Sequence, residues 1–86
     1  MSLRLRQDDL EWREIDRDIV VLDARDAAYL TLNGSGAVLW RMLAASATRD
    51  ELAAALVDAY GIDATTAAAD TDAFLDALSE QGLLAA

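Results

Sequence analysis

Few side chains in this sequence could do chemistry. It has neither cysteine nor histidine, so thiolate nucleophiles, thiolate metal sites, disulfides and the commonest general base are all missing. The first stretch that could act is Tyr29 to Trp40, YLTLNGSGAVLW, where Gly34-Ser35-Gly36 follows a strand-like alternation and opens a helical pattern. A Gly-Ser-Gly at such a junction could cradle a phosphate, present a nucleophile or act as a hinge. A dinucleotide fingerprint would need glycine where Leu39 stands, and there is neither a P-loop signature nor a lysine to reach a phosphate. Ser35 as a nucleophile would have only carboxylates for a base. Asn33, in contrast, can cap a helix with its side chain, and the glycines allow unusual backbone geometry and a close approach of strand to helix. The tripeptide therefore reads as a hinge. Asp70 and Asp72 diverge at helical spacing and lack a third ligand, which argues against a metal pair, and nothing identifies a pocket for paired-carboxylate catalysis. The expectation is a protein with no catalytic residue, no metal and no cofactor.

The charge is uneven. The net charge is −9, and all seven positive residues are arginines at or before Arg49. From Asp50 onward there are eight acids and no Lys or Arg. Such a field repels phosphate backbones, which speaks against nucleic acid, and it favours either solvated helix faces or a basic partner. No apolar run approaches the roughly 18 residues of a membrane span, and Met1-Ser2-Leu3-Arg4-Leu5-Arg6 has no apolar signal core, so a cytoplasmic protein without membrane contact is expected.

The elements that would position a site can be read from periodicity. Residues 1–86 read as one domain, which at this size buries about 60% of its unfolded surface. Leu10 to Ile15 alternates as a strand, Ile19 to Asp23 is a second, and Ala28 to Leu32 a third. The short connections predict an antiparallel meander whose apolar face must be covered by the C-terminal half of the chain. Helices are expected at about 35–44, with Ala37, Val38, Trp40, Leu43 and Ala44 at helical spacing; at 49–60, opened by the Thr48/Glu51 capping box and stopped by Gly61; and at 64–81, capped by Asp63. Leu52, Leu56, Ala59 and Tyr60 should share one face of the second helix. Trp40, Phe74, Leu75 and Leu78 are the expected core. The class is α+β and winged-helix-like, a three-stranded antiparallel meander followed by three α-helices.

With that order in place, VVLDARDAAYLTLNGSGAVLWRML with its L-N-x-x-G-x-x-L-W centre, then Leu52-Ala53-Ala54-Ala55-Leu56 with Tyr60-Gly61-Ile62, then Phe74-Leu75, Leu78, Gly82 and Leu83 carry a resemblance. The segment from about Ile19 to Leu84 resembles the PqqD-like family, or RiPP recognition elements, whose members bind the leader of a ribosomally made precursor peptide. It looks most like the free-standing leader-binding subunit of the split maturation protein in lasso peptide pathways. Members often carry glycine just before the tyrosine of the third strand, where this chain has Ala27-Ala28-Tyr29.

The resemblance implies a non-enzymatic adaptor. A leader would add as a strand to Ala27, Ala28, Tyr29, Leu30, Thr31 and Leu32, against the third-helix face carrying Ala67, Asp70, Thr71 and Phe74. The implied partners are the precursor peptide, a leader peptidase subunit and, beyond it, a cyclase. Alternatives are a peptide chaperone for a radical-enzyme pathway such as pyrroloquinoline quinone synthesis, a winged-helix DNA-binding protein, and an acidic carrier protein. The carrier's serine in an Asp-Ser-Leu context is missing, and the third helix lacks cations for DNA.

Overall fold

The computed structural model describes residues 2–85. Three strands, β1 (Leu10–Ile15), β2 (Asp18–Asp23) and β3 (Ala28–Leu32), precede three helices, α1 (Gly34–Ala44), α2 (Arg49–Tyr60) and α3 (Ala64–Glu80). The sheet is an antiparallel meander in the order β1-β2-β3. Its register runs unbroken from Ile15↔Asp18 to Leu10↔Asp23 and from Ile19↔Leu32 to Asp23↔Ala28. The first turn lacks glycine and instead places Asp16 at φ +58°, a conformation aspartate tolerates better than most residues.

Alternation sorts the sheet into two faces. Ile19, Val21 and Asp23 point inward with their partners Leu10, Trp12, Leu30 and Leu32, whereas Leu22 and Tyr29 lie on the outer face. The helices cover the inner face. Trp40, at 0% exposure, is the largest wholly buried side chain, and Trp12 meets it edge to face with centroids 6.3 Å apart. Leu39, Leu43, Leu52, Leu56 and Leu78 complete the interior.

Helix ends obey their capping chemistry with one exception. Thr48 and Glu51 form the full capping box, Gly61 closes α2 at φ +65°, and Asp63 accepts from Thr66 N at 2.7 Å. Asn33 does occupy the N-cap of α1, but its side chain makes no cap bond; only its carbonyl accepts, from Ala37 N at 3.4 Å. Gly34 supplies the unusual geometry, at φ +51°. A Cβ on Gly36 would meet Leu32 and Phe74 at 3.5 Å, an ordinary contact, so this glycine is not demanded by crowding.

Other expectations need correcting. Ala59 and Tyr60 are exposed rather than packed beside Leu52 and Leu56, because α2 meets the core only on one narrow stripe. Leu39 is in the core while Ala44 is exposed, and Phe74 and Leu75 are half-buried at its margin. Sequence patterns gave no role to the N-terminal arm. Leu3 bridges Ala47 and Leu5 bridges Leu84, so the arm threads between the α1–α2 loop and the C-terminal segment.

Candidate peptide-binding edge

A three-stranded meander has two free edges, and they are chemically unlike. β1 carries Glu11, Arg13 and Glu14, and Arg41 reaches it from α1, donating to the Glu14 carboxylate and to Arg17 O. Charged side chains along an edge resist pairing with another chain. β3 is Ala-Tyr-Leu-Thr-Leu, with no charge among its five residues. Its edge is the one open to a strand.

The ladder decides which β3 groups face outward. Beyond the end of β1 and β2, Ala24 N donates to Asp9 O at 2.9 Å, so Leu22, Val20 and Asp18, in phase with Ala24, turn their main chain toward β1. The alternate residues Asp23, Val21 and Ile19 turn toward β3, and their partners Ala28, Leu30 and Leu32 bond inward. Tyr29 and Thr31 are left presenting N–H and C=O to the free edge. Their side chains lie on the outer face, with Tyr29 76% exposed, while Leu30 and Leu32 line the helix side and are half-buried.

On that helix side the neighbour is α3. Phe74 packs at the sheet margin near Leu32 and Gly36. One turn earlier on the same face, exposed Asp70 borders a cavity of about 270 Å³ shared with Ser35, Leu56, Tyr60 and Ile62. Ala67 and Thr71 lie on the adjoining stripe, both at 0% exposure, where they seat α3 against the core. Ala27 and Ala28 are exposed at the start of the strand and border a second cavity of about 640 Å³, on the outer face beside Leu22 and Tyr29. Leu30, Leu32 and Phe74 are thus the half-buried apolar residues at this margin of the core, and Asp70 stands exposed one turn before Phe74 on α3.

Elsewhere acids are used structurally. Arg49 grips Asp72 through two bonds, at 2.5 and 2.8 Å, and this holds the Asp72 carboxyl below its usual range. Among the described residues no group of three acids could hold a metal ion, and no helix is long and apolar enough to cross a membrane.

Residues 18–84 match the family described as coenzyme PQQ synthesis protein D (PqqD). The chain belongs to the PqqD family. No curated protein sequence matches significantly. Two solved structures share the fold over nearly their whole length. TbiB1 in complex with the TbiA(β) leader peptide has a TM-score of 0.87 and 27% identity, covering 94% of this chain and 93% of that one. Lasso peptide synthetase B1 complexed with the leader peptide has a TM-score of 0.85 and 27% identity, covering 98% of both chains. The PqqD-like resemblance in the sequence and the α+β architecture both hold.

Sequence patterns missed one contributor near this edge, an Arg6–Asp23 ion pair below the turn into β3. A lone aspartate at the end of an apolar strand, as in IVVLD, was the available signal for it.

Proposed function

We propose that this PqqD-family protein is a non-enzymatic adaptor that binds the leader of a ribosomally made precursor peptide by strand addition to β3. The observation that carries the reading is the uncharged free edge of β3, with Phe74 of α3 close to Leu32 at its end, in a chain that shares its fold with two leader-peptide complexes. Tyr29 and Thr31 offer the main-chain groups, Leu30, Leu32 and Phe74 receive apolar leader side chains, and Ala27 and Ala28 flank the start of the strand. Asp70 favours a Lys or Arg in the leader. Ala67 and Thr71 act through the placement of α3.

Ordering a disordered leader costs roughly 2–5 kcal/mol of the interaction energy, which keeps net affinity moderate and suits release after processing. The bound leader would be delivered in the cytoplasm to a leader peptidase and onward to a cyclase of lasso peptide maturation, the adaptor raising its local concentration. Nucleic acid is a poor fit, since α3 has no Arg or Lys along its length. The family's link to pyrroloquinoline quinone synthesis supports a second client of the same site, a precursor peptide of that radical-enzyme pathway.

The test is fluorescence anisotropy of a labelled leader from the precursor encoded beside this protein. A scrambled leader and a pyrroloquinoline quinone precursor peptide serve as comparisons. Saturable binding of the native lasso leader alone is the expected result. Equal binding of the scrambled peptide would reduce the effect to charge attraction and overturn the reading.

A further inference from the structure

The N-terminal arm, the β2–β3 turn and the C-terminal segment meet at one guanidinium. Arg6 Nε donates to Asp8 O at 2.8 Å, Nη1 to Gly82 O at 2.8 Å, and Nη2 to Asp9 O at 3.2 Å and Asp23 Oδ1 at 2.5 Å. The pair is largely shielded, with the Arg6 side chain 11% exposed and that of Asp23 6%. The same Asp23 oxygen accepts from the amides of Arg25 at 3.1 Å and Asp26 at 3.4 Å. One carboxylate thus ties the arm to the turn that leads into β3.

That turn needs holding. It ends on Ala27 at φ +51°, a left-handed conformation disfavoured for any residue with a Cβ. The strand after it has only five residues and pairs on one side alone. The arm itself is anchored independently, through Leu3 N to Ala47 O at 2.7 Å and Arg6 N to Leu83 O at 2.8 Å, so Arg6 works from a fixed base.

We propose that Arg6 is a positioning residue for the β3 edge: through Asp23 it holds the Ala24–Ala27 turn, and with it Ala28 to Leu32, in the geometry that accepts an extended peptide. The inference rests on the proposed leader-binding function. An edge that is ordered in only a fraction of molecules binds more weakly by that same fraction.

The experiment compares wild type, Arg6→Met, Arg6→Lys, Arg41→Met and the double variant Arg6→Met/Ala27→Gly. Arg41→Met breaks a more exposed ion pair, on β1 at the opposite side of the sheet. Leader anisotropy is read beside helical circular dichroism and amide hydrogen exchange at Ala28 and Leu30. If removing the clasp leaves the edge ordered in about one molecule in ten, Arg6→Met binds the leader about tenfold more weakly, with faster exchange at both amides. Arg41→Met should bind as wild type. Adding Ala27→Gly should recover part of the loss, because glycine adopts the turn without restraint.

Folded Arg6→Met that binds as wild type, or that weakens no more than Arg41→Met, overturns the proposal, as does an Ala27→Gly addition that restores nothing. Should Arg6→Met not fold, Arg6→Lys keeps the charge, loses the guanidinium fork and makes the same comparison. If wild type itself binds no leader, the adaptor reading falls, and the exchange rates at Ala28 and Leu30 decide the clasp by themselves.

Discussion

Replacing Thr31 by proline removes an N–H that the sheet does not use and that an added strand would. Thr31 lies out of phase with the residues of β3 that pair with β2, so the substitution should leave the fold intact, as edge strands tolerate proline on their open side. A leader docked there loses one main-chain bond and keeps a carbonyl that has been taken out of water without a partner. That costs about 1–3 kcal/mol, or about 5- to 150-fold in Kd. Leu30→Pro differs, because Leu30 bonds inward opposite Val21 and its loss weakens the sheet itself. The assay is leader anisotropy on Thr31→Pro and Tyr29→Pro, with thermal unfolding to establish that each variant is folded. Strand addition is refuted if both variants fold and both bind within about twofold of wild type, since no strand could then be reading those amides.

Thr71 is wholly buried and its hydroxyl has no hydrogen-bond partner among the described residues, so Thr71→Val should raise stability by about 1 kcal/mol, seen as a thermal midpoint about 4–8 °C higher. Thr48→Ala removes one half of the α2 capping box and should cost about 1 kcal/mol in denaturant unfolding, with leader affinity unchanged. Acid should destabilise the protein. Asp23, Glu51, Asp63 and Asp72 are all held below the usual carboxylate range: by Arg6 for Asp23, by Thr48 and Thr66 for the two cap-site acids, and by Arg49 for Asp72. The unfolded chain therefore binds more protons, so their stabilisation is complete above about pH 5 and is lost as pH falls through the lower folded values. Urea midpoints measured down that range should fall, and Asp23→Asn should flatten the slope.

Most of the element order was legible in the sequence because local chemistry and periodicity agreed. Alternation in LEWREI and IVVLD, the Thr48/Glu51 box, Gly61 and the Asp63 cap each report on a few neighbouring residues, and each element formed where those signals stood. Asn33 shows the limit of such signals. It stands at the N-cap, yet its side chain makes no bond there, and the tight passage from β3 into α1 is managed by Gly34 instead. The helix stripes were half legible: Leu52, Leu56 and Leu78 are buried, but Phe74 and Leu75 stop at the margin, and periodicity does not say how wide a stripe the neighbours will cover.

By itself the sequence determined the order of three strands and three helices, the lack of thiol and imidazole chemistry, and an acidic second half. These depend on residue type and near-neighbour spacing. Only the tertiary structure decided that Arg41 crosses from α1 to bond Glu14, on the strand opposite β3, and the carbonyl of Arg17. It also decided that Tyr29 and Thr31 turn their main chain outward, a consequence of the phase of the whole ladder rather than of β3 alone. And it brought Arg6, Asp23 and Gly82 together, residues far apart along the chain that no local pattern connects, at the turn where the open edge begins.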